Sequence, residues 1–341
     1  QRTTMRPKPQ RPPRQALATA LVLAAGVALL LASCQAGGIR ADELEPSELT
    51  TDAPQIDLAL DSTPIELPDY PDAVELPSLW PLTPASLRTD DEVCGVWREL
   101  AAAPSTMPAA SPVCAPEPVG YDERRAAFAR LSYYRWLVGL DAVGEASTHL
   151  DALQACANYF ALNELPLSHE PPADRACFTE PVAAYAGTSN LASGLSSAVD
   201  AVDLFVGDPA HRALALAPNL RATAFGLVAG VVCQLVFAEN WSWQPPIHRT
   251  IAYPAPGPNA QPPTRKFSAL PATGHDFDEL TAVKVTLGDA EQPLSARLQD
   301  TGYGPKLLVF ELANTPAVGA IYQVAISDIA TAAGRTREDY H

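Results

Sequence analysis

Proline decides where this chain can build a core and where it cannot. The 341 residues include 34 prolines. Many of them gather in two stretches, one from residue 35 to about 88 and one from Pro245 to about 275. A proline lacks the amide donor that helices and central strands use, and its ring fixes φ, so neither stretch suits the interior of a packed element. The first is also acidic, and an extended tether is expected over 34–88, reaching about 40 Å as a random coil and further once proline stiffens it. Its scattered Leu and Ile leave open a ligand peptide for a partner domain. Folded units are expected at 121–258 and 276–332. Between and around them come a loop-rich, Cys-containing segment at 89–120, a Pro-rich linker at 259–275 and a tail at 333–341.

Ahead of the tether the order is that of a secretory signal. From Met5, the residues Arg6, Lys8, Arg11 and Arg14 form a basic region, and Ala16 to Ser33 is uncharged and apolar. Positive charge held in the cytoplasm followed by a short membrane-inserting run predicts a signal peptide over 1–33. About 18 apolar residues also just span a bilayer. Against an uncleaved helix stands the ending Leu31-Ala32-Ser33-Cys34, which resembles a lipobox, followed by the flexible Gln35-Ala36-Gly37-Gly38. The lipobox implies removal of the leader, diacylglycerol on Cys34, and a secreted lipoprotein held by its acyl chains. By the sorting rule of such lipoproteins, Gln35 favours the outer membrane of a Gram-negative cell.

The formal net charge of -16 and a sequence pI near 4.7 argue against nucleic acid, whose phosphates call for a basic face. They also repel the protein body from anionic lipid heads, leaving the anchor as the membrane contact. Of the six cysteines, lipidation takes Cys34. The sequence-near pairings of the others are Cys94–Cys114 and Cys156–Cys177, which leave Cys233 as a buried thiol in an apolar run. There is no Cys-x-x-Cys pair and no zinc-finger spacing.

Periodicity supplies the class. Ala127, Leu131, Tyr134, Leu137 and Val138 recur at helical spacing after Tyr121, and a second helix fits Ser147 to Leu162 with Leu150, Leu153, Ala157 and Phe160 on one face. A third fits Leu195 to Val206, ended by Gly207-Asp208-Pro209. Then Ala224 to Phe237 turns β-branched and glycine-broken, which predicts two buried strands. After the linker, residues alternate at Val283, Val285 and Leu287, at Leu308, Phe310 and Leu312, and at Tyr322, Val324 and Ile326. That pattern predicts a small all-β, Ig-like sandwich module near the lower size limit of independent stability. The class is α+β.

Five segments in this order resemble the CAP superfamily of cysteine-rich secretory, antigen 5 and pathogenesis-related proteins, in its short bacterial form. They are Arg135-Trp136-Leu137-Val138-Gly139-Leu140; His169 after the second helix; Gly187-Thr188-Ser189-Asn190-Leu191-Ala192; His211-Arg212-Ala213-Leu214-Ala215-Leu216-Ala217-Pro218; and Phe225-Gly226 with Gln234-Leu235-Val236-Phe237. The resemblance covers 121–258 and implies a CAP-like α-β-α sandwich. Its cleft would be lined by His169, His211 and the Ser189-Asn190 pair. In that family two histidines and a Glu can hold a divalent metal such as zinc, because two neutral imidazoles and a carboxylate make a three-ligand site with an open position. Here Ser189 stands where the Glu is expected, and serine is a poor ligand at neutral pH. Glu170 and Glu180 are the nearby acids, and either would have to point inward to replace it.

Other residues read more simply. Ser189 as a nucleophile lacks a Gly-x-Ser-x-Gly elbow. Asn190 is expected to bond loop backbone, His149 and His248 to sit at the surface or pack, and Trp241 and Trp243 to pack after a strand. The leading functional expectation is a non-catalytic binding module at the cell envelope for a lipid, glycan or protein, with no cofactor. The alternatives are an envelope hydrolase using His169 and His211, with metal assistance as an option, and a structural spacer.

Overall fold

The computed structural model describes residues 88–100, 107–236, 250–254, 265–300, 305–317 and 320–340. Cys34, the tether, Trp241, Trp243 and His248 lie outside them. The protein is α+β. Among the described residues no helix is long and apolar enough to cross a membrane.

Helix α1 (Asp90–Glu99) opens on a capping box in which the Thr89 hydroxyl accepts from the Glu92 amide and the Glu92 carboxylate accepts from the Thr89 amide. This reciprocal pairing satisfies two end donors at once. Its Val93, Val96 and Trp97 are buried in the main core, so the segment expected to be loop-rich belongs to the domain. Helix α2 (Tyr121–Leu137) follows, then the short strand β1 (Gly144–Glu145) and helix α3 (Leu150–Asn163), which is entered through a 3-10 turn at Ser147–His149. Next come α4 (Glu180–Gly187), β2 (Ser189–Ala192), α5 (Ala198–Gly207), α6 (Pro209–Ala215), β3 (Ala222–Thr223), β4 (Phe225–Val228) and β5 (Val231–Leu235).

Strands β2, β5 and β4 form an antiparallel sheet in that order, and β1 pairs with β3 in parallel. Alternation along a strand sends successive side chains to opposite faces. Phe225, Leu227 and Val232 join the cluster built with α2 and α5, whereas Val228, Val231, Cys233 and Leu235 join the one built with α3 and α4. Phe128 of α2 meets Phe225 edge-on with ring centroids 5.4 Å apart. The sheet thus lies between two helical layers. Its β4 edge is closed by a side chain rather than by a strand. The Gln154 amide donates to the Leu227 carbonyl at 3.0 Å and accepts from the Leu227 amide at 2.9 Å, as a neighbouring strand would.

The C-terminal part has two antiparallel sheets. One orders β11 (Leu294–Gln299), β12 (Leu307–Leu312), β7 (Lys266–Leu270) and β6 (Ile251–Tyr253). The other orders β10 (Ala290–Glu291), β9 (Ala282–Leu287), β13 (Tyr322–Thr331) and β14 (Gly334–Tyr340), with β8 (His275–Asp276) beside β13. Phe267, Leu308, Phe310 and Leu312 of the first pack with Val285, Ile326 and Ile329 of the second in one core. This β-sandwich is larger than the alternation in 276–332 predicts. Strand β6, placed with the preceding domain by the sequence, pairs with β7, and β7 itself falls in the expected linker. The expected tail is β14, paired along β13. Prolines border these strands without entering them, so counting prolines stretched the linker at the strands' expense. The last strand is mostly polar because it is half-exposed, and its residues show little alternation to detect.

The disulfides correct the sequence-near pairings. Cys114 is bonded to Cys177 and Cys156 to Cys233. Distance along the chain misleads here because the sheet brings Cys233 of β5 under Cys156 of α3, with Cα atoms 6.4 Å apart. Both sulfurs are buried, as expected of Cys233, but in a bond rather than as a thiol. Such bonds form and persist in an oxidising, extracytoplasmic compartment.

Candidate functional site

The loop that carries His169 leaves α3 at Glu164, whose φ of 50° reverses the chain. Three ties hold it. The Asn163 side chain donates to the carbonyls of Tyr159 at 2.7 Å and Ala176 at 2.9 Å, the Tyr159 hydroxyl donates to the Pro172 carbonyl, and Cys177 is bonded to Cys114. The His169 Nδ1 lies 2.7 Å from the Ala186 carbonyl near the end of α4. A carbonyl only accepts, so Nδ1 carries a proton and donates to it. His169 is exposed, and Nε2 is the nitrogen it offers.

His211 sits on α6, and Asp208 caps that helix by accepting from the amides of Ala210 at 3.0 Å and His211 at 3.2 Å. The same carboxylate lies 3.2 Å from the His211 Nδ1. Hydrogen bonds from the imidazole and from the two amides hold the Asp208 carboxyl far below the usual carboxylate range, so it is ionised and accepts the Nδ1 proton. The two histidines are therefore alike: each is oriented through Nδ1 and presents Nε2. Phe205 packs against the His211 ring with centroids 5.5 Å apart.

Strand β2 links the two attachments. His169 is tied to Ala186, just before β2, whereas the Asn190 amide donates to the His211 main-chain carbonyl at 3.3 Å. These anchor points are four residues apart along the chain, one in the last turn of α4 and one in β2. Asn190 also donates to the Gln234 side chain at 3.2 Å and is buried, so its partners are a helix carbonyl and a strand side chain rather than loop backbone. Ser189 lies between the two attachments, only 2% exposed, and its hydroxyl has no hydrogen-bond partner. Glu170 and Glu180 are exposed, Glu180 in the first turn of α4 and so at the opposite end from Ala186. Neither points inward. Among the described residues no three His, Cys, Asp or Glu side chains converge as a metal would require. The divalent-metal alternative at His169 and His211 thus lacks a third protein ligand there.

The contacts of three residues escaped the sequence reading. Asp208 read only as a helix end, yet it caps the next helix and orients His211. A signal existed, since Asp before Pro is a helix start and Asp208 and His211 stand three apart. Arg135 is a hub that joins α2 to the 215–220 turn. Arg212, beside His211, faces away from it and grips the β-sandwich. Neither arginine has a local partner that a sequence pattern would reveal. His149 pairs with the Tyr185 hydroxyl and packs on its ring, 5.7 Å between centroids.

What the fold and site define is a disulfide-bonded α+β domain with two Nδ1-oriented histidines, joined to a β-sandwich. In comparisons with known proteins the chain matches no family model, no curated protein and no solved structure.

Proposed function

We propose that this chain is an extracytoplasmic lipoprotein of the outer membrane or cell surface, whose CAP-like domain is a non-catalytic binding module for a lipid, glycan or protein. The observation that carries the reading is a pair of imidazoles each fixed at Nδ1, His169 on the Ala186 carbonyl of α4 and His211 on Asp208, with the buried Ser189 rather than a carboxylate at the start of β2. Two imidazoles whose ring orientation is fixed through Nδ1 suit hydrogen bonding to polar groups of a ligand. They give little leverage on a scissile bond, because Ser189 is buried and bonded to neither ring. The layered α-β-α arrangement and the two disulfides support the same reading.

Anchoring is tested by mass mapping of the mature N-terminus without reduction. Diacylglycerol on an N-terminal Cys34 is expected, and a Cys34–Cys94 disulfide would contradict it, since one sulfur cannot hold both bonds.

The Asp208–His211 pair favours one second reading, an envelope hydrolase, because a carboxylate that orients an imidazole is the arrangement of a general base. Ester and peptide libraries test it. Hydrolysis that survives alanine at both His169 and His211 ends that reading.

A further inference from the structure

We infer that Arg212 is a positioning residue through which the β-sandwich sets the placement of His211. Helix α6 is only seven residues long, too short to hold its own geometry in water. Its placement therefore comes from what touches it on each side. On one side the Asn190 amide holds the His211 carbonyl and Phe205 packs on the His211 ring. On the other, Arg212 is 2% exposed and reaches into the sandwich. Its Nε donates to the Ser268 hydroxyl of β7 at 3.0 Å, and its Nη2 lies 3.4 Å from the Lys266 carbonyl of the same strand. Its Nη1 returns to the Val206 carbonyl of α5 at 3.0 Å. The guanidinium stacks 4.1 Å from the ring centroid of Tyr253 on β6, and Tyr253 is the registered neighbour of Ser268.

One buried fork thus ties the last turn of α5, helix α6 and two strands of the sandwich, at the residue next to His211. Buried guanidinium contacts of this kind are geometrically demanding, because the planar fork fits only one arrangement of acceptors. The sandwich is then a working part of the cleft rather than a module hung behind it. This consequence for binding rests on the cleft reading above, but the linkage itself is read on the helix and does not depend on any ligand.

The experiment uses the complete mature protein in detergent. Backbone hydrogen exchange and histidine-selective NMR are recorded for wild type, Ser268→Ala and Arg212→Lys. Arg335→Ala, which breaks an ion pair with Asp278 elsewhere in the sandwich, serves as control. Both test variants are expected to speed exchange in residues 209–216 by about tenfold, the loss of one hydrogen bond to a buried charge. They are also expected to shift the His211 ring resonances while leaving those of His169 in place, and the control is expected to do neither. Unchanged exchange and unchanged His211 signals in both test variants would overturn the inference. So would an equal acceleration in α2 and α3, which would mean general loosening.

Discussion

Replacing Gly226 with alanine is expected to remove about 3 kcal/mol of stability, a large share of what holds a marginally stable domain together. The cause is distance. Helix α3 crosses strand β4 so closely that a Cβ on Gly226 would stand 2.6 Å from the Gln154 amide nitrogen and closer still to the Leu153 carbonyl. These are backbone atoms of a helix, so no rotamer change relieves the overlap. The same contact lets the Gln154 side chain reach the Leu227 backbone and close the sheet edge. Pushing the helix away therefore costs two hydrogen bonds as well as packing. Chemical denaturation of the purified variant checks this. A midpoint equal to wild type would mean the layers are not in such close contact.

Arg135→Met is expected to destabilise by about 3 kcal/mol, because buried backbone carbonyls lose their donor. Arg135 is 1% exposed. Its Nε donates to the Asp141 carbonyl at 2.7 Å, Nη1 to Ala215 at 3.2 Å and Ala217 at 2.9 Å, and Nη2 to Leu220 at 3.1 Å. No carboxylate bonds it. Burial pushes the guanidinium down to about 9, and the charge is held by carbonyl dipoles. Methionine fills the stem's space but leaves four carbonyls without this donor. Arg135→Lys is expected to lose most of the same energy, because one ammonium cannot reach acceptors spread around a planar fork. Urea unfolding of both variants checks the pair. A lysine variant as stable as wild type would show that charge alone, rather than the fork, holds the turn.

The sequence disclosed the elements with strong periods. Tyr121–Leu137 is a helix with Ala127, Leu131 and Leu137 buried, Leu153, Ala157 and Phe160 line the inner face of α3, and the run from Ala224 splits into two strands at Ala229-Gly230. Helices α1, α4 and α6 were missed because each is short and its apolar face gives fewer than three repeats. Their caps at Thr89, Thr179 and Asp208 were nonetheless written in the chain. Strand β2 read as a loop because its four residues, all buried, mix polar with apolar. Register is what spacing withholds. Nothing local shows that Asn190 faces Gln234 or that Cys233 lies beneath Cys156, since both follow from how β2 and α3 meet β5. The candidate residues His169, His211, Ser189 and Asn190 were named together from the resemblance, and among them the structure bonds Asn190 to the His211 carbonyl. How each histidine is oriented was not legible, because the Ala186 carbonyl is a backbone group and Asp208 reads first as a cap.

Zinc content is the most direct measurement of what lies between His169 and His211. The mature protein, loaded with excess zinc and dialysed, is analysed for metal beside its His169→Ala variant. Two imidazoles with no third ligand among the described residues converging on them are expected to retain no stoichiometric zinc, since structural and catalytic zinc sites use three or more protein ligands. One zinc per chain, lost when His169 becomes alanine, would contradict the metal-free binding cleft and make this a metal centre.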